Sequence, residues 1–508
     1  MTKLTRRSFC GAMGGLAVTG ALPSFGGGVS NLRVGILSDI HVTALGNANW
    51  FEKALRRFDA QKVDAVLIAG DLTTWSRLVE HEAVAETWFK VFPDDRRSDG
   101  AKVERLFVTG NHDVDGWAYG GYPYKSADEA RVDSFFFHRE EYWRRLWHEE
   151  YRPVMVKTVK GYTFILRNWL SILGTESTGH PIAKGFADEP NPLGEVLESL
   201  GSGVLRGSRP FFYVQHDPLA DTVNSWWLTG GQRMPLNVCG NSRDFLNGYP
   251  NCVTFTGHSH MPLTDPQSIW QGPFTAVNCS CARGYAFTRP GRENGFADGD
   301  SRRTPPYEMG PFDFRGVHDA MTMDVFDDRI VLARYDLAQD RPLGEDWAIP
   351  LYGGRSVPPS GTPRYDFPAR AAAERAPQFP EGARLTVSED AAGLRRFPNS
   401  MNLDPASAHR QFIVRFPSVL ATGTTSRALD FAVSAEMRIG DVVSTVAERR
   451  VFAPDFCHPQ GASPVPCSCA FDAALIPVDR EVRFRVRPCG PWGKAGRDIV
   501  SAWQAIRH

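Results

Sequence analysis

The sequence predicts an α/β protein, a layered β-sheet core flanked by helices, followed by an all-β sandwich. Five short apolar runs, at Leu32–Leu37, 63–69, 105–108, Phe211–Val214 and 252–255, have the character of buried parallel strands. Helical spacing of apolar residues separates the early ones, at 50–58 and Leu78–Val91. Strand–helix–strand alternation implies a largely parallel sheet. Beyond residue 383 the pattern changes to short strands with turn signals between them, at 384–387, 411–416, 429–435, 442–447 and 481–486.

The 508 residues are too many for one ordinary core. We divide them into an N-terminal segment (1–30), a core domain (31–345), a Pro-, Ala- and Arg-rich linker or surface strap (346–382) and the β-sandwich (383–508). A formal net charge of -1 gives no basic excess with which to neutralise many phosphates, so nucleic acid is not the expected partner. A small phosphate ester fits, because metal ions supply positive charge that Lys and Arg do not. Arg6-Arg7, a short small-and-apolar run from Cys10 to Ala21 and the loose 23–28 stretch read as a twin-arginine export signal cut between Ala21 and Ser30. Export places the mature chain in a periplasm or outside the cell. No other apolar run approaches membrane length. The eight remaining cysteines, Cys239, Cys252, Cys279, Cys281, Cys457, Cys467, Cys469 and Cys489, are expected to form disulfides in that compartment. The spacing of the last four matches no standard zinc template.

The residues at the end of each core strand carry the chemistry. The successive ends read Ser38-Asp39-Ile40-His41, Gly70-Asp71-Leu72, Gly110-Asn111-His112-Asp113, Gln215-His216-Asp217 and Gly257-His258-Ser259-His260. Ligands of open α/β sheets bind outside the carboxyl ends of the strands. Imidazole and carboxylate together suit zinc, iron or manganese, and a carboxylate can bridge two ions. Asp39 and His41, two apart in what reads as an extended segment, point to one side, as do His258 and His260. Asn111 offers a neutral carbonyl oxygen. Gly70, Gly110 and Gly257 are read as sharp turns. Two ions about 3.5–4 Å apart clamp phosphate oxygens and generate a nucleophile at neutral pH.

The ordered set Asp39-x-His41, Gly70-Asp71, Gly110-Asn111-His112-Asp113, His216 and Gly257-His258-x-His260 resembles the signature of the calcineurin-like metallophosphoesterases, over 32–265. The resemblance implies two divalent or trivalent ions (Mn, Fe or Zn). One is held by Asp39, His41, Asp71 and His260; the other is bridged by Asp71 and completed by Asn111, His216 and His258. A hydroxide between the ions then attacks phosphorus. His112 protonates the leaving group, and Asp113 holds and tunes its imidazole. Purple acid phosphatases carry glycine at the position of His41 and a metal-binding Tyr in the region of Thr74-Trp75. The serine/threonine phosphatases carry an Arg-bearing run where this chain has 70–76. The pattern is closer to the phosphodiesterase branch, and implies hydrolysis of a phosphate mono- or diester. An exported nucleotidase and a non-catalytic metal-binding scaffold are the alternatives. Nucleotidases of this group usually carry a larger α/β C-terminal domain, and a scaffold is expected to lack a ligand or the acid His.

Around the rim, Trp117, Tyr119, Tyr122, Tyr124 and the run Phe135–Trp147 either wall a substrate pocket or pack the sheet edge, and Trp226 and Trp227 invite the same two readings. The Gly- and Arg-rich 283–314 stretch reads as a long loop, and 321–326 with 330–335 as a hairpin that closes the domain. The 485–496 tail resembles the final hairpin of a fibronectin type III domain, which implies bracing of the core domain or binding of a partner.

Overall fold

The computed structural model describes residues 28–44, 46, 48–116, 127–169, 192–223, 242–283, 317–394, 405–421, 425–453, 456 and 466–506. The stretch up to residue 27 that was expected to be an export signal, Trp117, Tyr119, Tyr122, Tyr124, Trp226, Trp227, Cys239, Cys457 and the stretch beyond Arg283 that was expected to be a loop lie outside them. In chain order the first strands are β1 (Leu32–Leu37), β2 (Ala65–Ala69), β3 (Glu104–Val108), β4 (Val154–Val159), β5 (Tyr162–Arg167), β6 (Phe211–Val214), β7 (Cys252–Thr256), β8 (Ile269–Gln271), β9 (Thr275–Asn278), β10 (Asp319–Val325), β11 (Arg329–Asp336), β12 (Arg341–Pro342) and β13 (Trp347–Pro350). The helices are α1 (Asn49–Ala60), α2 (Leu78–Val91), α3 (Asn111–Val114), α4 (Ala127–Asp133), α5 (Phe135–Trp147), α6 (Leu193–Leu205), α7 (Ser242–Leu246) and α8 (Phe367–Ala373).

The expected single parallel sheet is in fact two. One runs β12-β11-β10-β1-β2-β3, with β13 on β11; the other runs β4-β5-β6-β7-β9-β8. Each has a parallel part, β1-β2-β3 and β5-β6-β7-β9; antiparallel strands extend the first on the β1 side, where β3 is the other edge, and the second on both sides. The 321–335 hairpin forms as β10 and β11 and pairs through β10 with β1. Alternation along the second sheet shows its two faces. Phe164, Leu166, Phe212 and Val214 join one large core with Leu67, Ile68 and Phe107 of the first sheet, whereas Ile165, Phe211 and Tyr213 meet Leu193, Leu197 and Leu205 of α6. Hence two sheets sandwich the main core and helices cover them. Phe135, Trp143 and Trp147 of α5 belong to that core, so this part of the aromatic segment packs the domain.

The segment read as a linker is ordered and packed. It adds β13 to the first sheet and carries α8, capped by the Asp366 carboxylate on the Ala369 N–H. Proline-rich chain needs no regular ladder to be held when its carbonyls and side chains find partners: Ser356 Oγ lies 2.8 Å from the Cys252 carbonyl, and Tyr365 Oη 3.1 Å from that of Ala348. Beyond it, β14 (Thr386–Gly393), β15 (His409–Pro417), β16 (Asp430–Ile439), β17 (Val442–Phe452), β18 (Pro466–Asp472), β19 (Glu481–Cys489), β20 (Ile499–Val500) and β21 (Gln504–Ala505) form two antiparallel sheets, β14-β15-β18 and β17-β16-β19-β20, with β21 on β19. Phe412, Phe431, Phe471 and Phe484 fill the core between them. Strand β18 was hidden in the sequence by its cysteines. Cys467, Cys469 and Phe471 alternate inward, so their spacing of two is a strand signal. Cys252, Cys279 and Cys489 are buried free thiols, which corrects the disulfide expectation for these three.

The helix layer approaches β1 so closely that Gly35 has no room for a side chain: a Cβ there stands 2.5 Å from the Phe58 ring. Gly35→Val is expected to cost about 1–3 kcal/mol through overpacking, measured as a fall in the urea midpoint at unchanged m-value.

Candidate metal centre

The carboxyl ends of both sheets meet at one rim. The first sheet delivers Asp39 and His41 after β1, Asp71 after β2, and Asn111 and His112 at α3 after β3. The second delivers His216 after β6 and His258 and His260 after β7. Cross-ties lock the two together: Ala282 N–H donates to the Ser38 carbonyl, and His216 Nδ1 lies 2.8 Å from the Ala69 carbonyl.

Within this rim the ligand atoms fall into two overlapping groups, Asp39, His41, Asp71 and His260, and Asp71, His216 and His258, the atoms of each lying within 4.8 Å of one another. In the first, His41 Nε2 is 3.1 Å from His260 Nε2 and 3.5 Å from Asp71 Oδ2, and His260 Nε2 is 2.9 Å from Asp39 Oδ1. In the second, His216 Nε2 is 3.1 Å from Asp71 Oδ2, and Asn111 Oδ1 lies 3.0 Å from His216 Nε2 and 2.7 Å from His258 Nδ1. Asp71 Oδ1 accepts the His112 N–H at 2.8 Å, so Oδ2 is the oxygen left to both groups. Asp39 divides its work likewise. Its Oδ2 takes the His258 N–H at 3.0 Å and lies 2.5 Å from Ser38 Oγ, while Oδ1 is buried with no hydrogen bond.

These donors fit metal ions. Two imidazole nitrogens 3.1 Å apart, one of them 2.9 Å from a buried carboxylate oxygen that makes no hydrogen bond, satisfy one another poorly, and a shared cation resolves the convergence. Protonation equilibria show the same tension. Burial opposes ionisation of Asp71, yet the imidazoles of His216, His112 and His41 outweigh it and hold the carboxyl well below its usual range. Burial also opposes a charged His216, but the Asp71 carboxylate prevails and lifts it to about 9. Burial and the neighbouring His216 push His258 down to about 3.

The local backbone differs from the extended segments expected at the strand ends. Asp39 (φ 51°), His41 (45°), Asp71 (52°), His258 (62°) and His260 (49°) are all left-handed. The side chains converge because the chain is wound tightly at each strand end, a conformation costly for non-glycine residues and typical of functional sites. Gly70, at φ 88°, makes the turn read for it. Gly110 and Gly257 serve close approach instead, since a Cβ would lie 2.2 Å from Asp71 Oδ1 and 1.8 Å from Ser38 Oγ respectively.

Asp113 does not hold the His112 ring. Its carboxylate turns back to accept from the N–H groups of Gly110 (2.8 Å), Leu72 (3.1 Å) and Thr73 (2.8 Å) and from the Thr73 hydroxyl (2.9 Å). Asp113 stands at the third position of α3, where a side chain reaches back over the helix start, so it shapes the Gly70-Asp71 and Gly110-Asn111 turns together. The His112 partner is the Thr74 carbonyl, 2.7 Å from Nδ1. A backbone group leaves no trace in residue identity, which is why sequence reasoning missed it. Trp169, just beyond β5, was missed as well; it lies against His216 and His258.

Residues 32–262 match the family model described as calcineurin-like phosphoesterase. No curated protein matches the sequence. Among solved structures, a dimetal phosphatase from Danio rerio aligns at 13% identity and a TM-score of 0.37, covering 64% of this chain and 100% of that one. GAP50, described as the anchor in the inner membrane complex of Plasmodium, aligns at 11% identity and 0.33, covering 63% and 89%. Zinc-complexed Vps29 from Entamoeba histolytica aligns at 12% and 0.25, covering 63% and 100%.

Behind α3, the imidazole of His81 is buried and stacked 4.0 Å from the Phe135 ring. Burial pushes its pKa from 6.5 down to about 3, against a smaller opposing pull from the Asp113 backbone. The folded chain keeps this ring neutral while the unfolded chain protonates it below pH 6.5. Its contribution to stability is therefore present above pH 6.5 and lost as pH falls toward 3. His81→Leu is expected to flatten the decline of the urea midpoint between pH 6.5 and 4 relative to wild type. An unchanged acid limb contradicts this account.

Proposed function

We propose that this chain is an exported dinuclear-metal hydrolase of phosphate mono- or diesters, with His112 as its general acid. The observation that carries the reading is the pair of buried donor groups sharing Asp71 Oδ2, with the half-buried His112 beside them. The residues that would hold one ion are Asp39, His41, Asp71 and His260; those for the other are Asp71, Asn111, His216 and His258. Bound ions supply Lewis acidity toward phosphate oxygens and make water a nucleophile near neutral pH. Manganese, iron and zinc all suit this mixed nitrogen and oxygen donor set.

The chain's own residues do the rest. The Thr74 carbonyl accepts the Nδ1–H of His112, which leaves Nε2 to carry the proton for a departing alkoxide or phenoxide. The His112 ring packs edge-on against His41, 4.7 Å between centroids, and so stays at the rim of the first group. Because the His112 N–H also pins Asp71 Oδ1, the proton donor and the shared carboxylate keep a constant relation. Asn111 adds a ligand oxygen without adding negative charge against an anionic ester. Arg6-Arg7 and the apolar run behind them support export to a periplasm or beyond. Among the described residues no helix is long and apolar enough to cross a membrane.

The test is metal analysis of the mature chain with turnover of p-nitrophenyl phosphate and bis-p-nitrophenyl phosphate. About two ions per chain are expected. His112→Ala should keep both and lose roughly 10²–10⁴-fold in kcat, whereas Asp71→Ala should lose metal and turnover together. The ratio of the two substrates separates diesterase from monoesterase. Two ions without turnover on any ester favours the scaffold reading, and full activity in His112→Ala removes the acid role.

A further inference from the structure

Trp169 is the one large aromatic side chain among the described residues that lies against two candidate metal ligands. Its ring stacks on His258, 6.1 Å between centroids at 19°, and meets the edge of His216 at 6.0 Å and 78°. Both are members of the second group. Offset stacks and edge contacts at these separations are the favoured aromatic geometries. The indole is itself anchored at both ends. Its Nε1–H donates to Asp115 Oδ2 at 2.8 Å, and Asp115 is fully buried directly after α3. Its backbone N–H reaches the Thr109 carbonyl at 3.1 Å, and the neighbouring Asn168 Oδ1 accepts the Thr109 N–H at 2.8 Å. Thr109 immediately precedes Gly110-Asn111, so the end of β5 is clamped to the loop that presents the Asn111 oxygen. Trp169 is thus tied to every member of the second group except the shared Asp71.

The need for such a wall is visible in the burial. His258 is half-buried, while Asp39, His41, Asp71, Asn111, His216 and His260 are buried. An imidazole at the solvent boundary retains rotamer freedom that a ligand must give up. Trp169 itself is only 5% exposed, so its face serves the ligands and is not open to a substrate.

Resting on the dinuclear reading, we infer that Trp169 is a positioning residue selective for the second metal site: its indole, moored to Asp115, holds the His258 and His216 rings in ligating orientation and keeps water from behind them. The first site has no share in this brace, since among the described residues the ring contacts of Trp169 are with His216 and His258 alone. Supporting shells of this kind typically govern metal affinity by roughly 10–100-fold.

The experiment is a competitive chelator titration of wild type, Trp169→Phe and Trp169→Leu with Mn(II) and, separately, Zn(II), reading both binding steps, with urea unfolding of the metal-free proteins alongside. Wild type should bind two ions. Trp169→Leu should keep the first step and weaken the second by about tenfold or more, with turnover recovering as added metal fills the weakened site. Trp169→Phe keeps a ring but lacks the N–H for Asp115, and should fall between. Two unchanged steps in Trp169→Leu overturn the proposal. So does equal weakening of both steps with a lowered unfolding midpoint, which marks a merely structural residue. Fewer than two ions in wild type overturns the dinuclear reading itself, and the proposal with it.

Discussion

The face-to-face packing of the two sheets is the constraint on which the rim depends. Neither candidate ion has a complete set of donors from one sheet: His260 must come across to Asp39, His41 and Asp71, and His216 and His258 must come across to Asp71 and Asn111. The main core, built from both sheets, therefore does more than exclude water. It sets the separation of the ligand groups, and the bonds from Ala282 to Ser38 and from His216 to Ala69 finish the alignment at the strand ends. A protein interior packs at crystal-like density and does not deform continuously, so such a separation is well defined.

The same rim concentrates the energetic costs of the fold. Five left-handed non-glycine residues, a carboxylate oxygen without a hydrogen bond, and glycines too crowded for a methyl group all lie within the loops that present the donors. Each is unfavourable alone, and each is tolerated because the surrounding structure determines it. Asp113 is central to that support. By accepting four hydrogen bonds from two neighbouring turns, its buried carboxylate joins the Gly70-Asp71 corner to the Gly110-Asn111 corner. Burial and the nearby Asp71 charge raise its pKa to about 7, the electrostatic consequence of that placement.

The C-terminal sandwich is docked by specific contacts. Glu374, just after α8, accepts the N–H groups of Trp492 and Lys494 at 3.0 Å each, Gln267 donates to the Pro491 carbonyl at 2.8 Å, and Phe367 meets the Trp492 ring edge-on at 5.0 Å. Cys281 and Val317, from the segments leading out of β9 and into β10, belong to the sandwich's own core cluster. Chain that leaves the metal rim is thereby built into the second domain. This accounts for an ordered segment between residues 346 and 382, whose composition reads as a linker or a surface strap.

The sequence by itself located the five strands that carry the donors, β1, β2, β3, β6 and β7, and identified the residues gathered at their ends, whereas β4, β5, β8, β9 and β18 were not read from it. Those properties are local: apolar runs define buried strands, and Asp, His and Asn after them declare a donor set. Only the tertiary structure decided that the strands belong to two sheets, that Asp39 and His41 converge through left-handed turns, that Asp113 braces loops while the Thr74 carbonyl holds His112, and that Trp169 backs His216 and His258. The reason is physical. A strand's apolar pattern does not encode its neighbour, a backbone carbonyl has the same chemistry at every residue, and a ring becomes a brace only where distant segments pack against it.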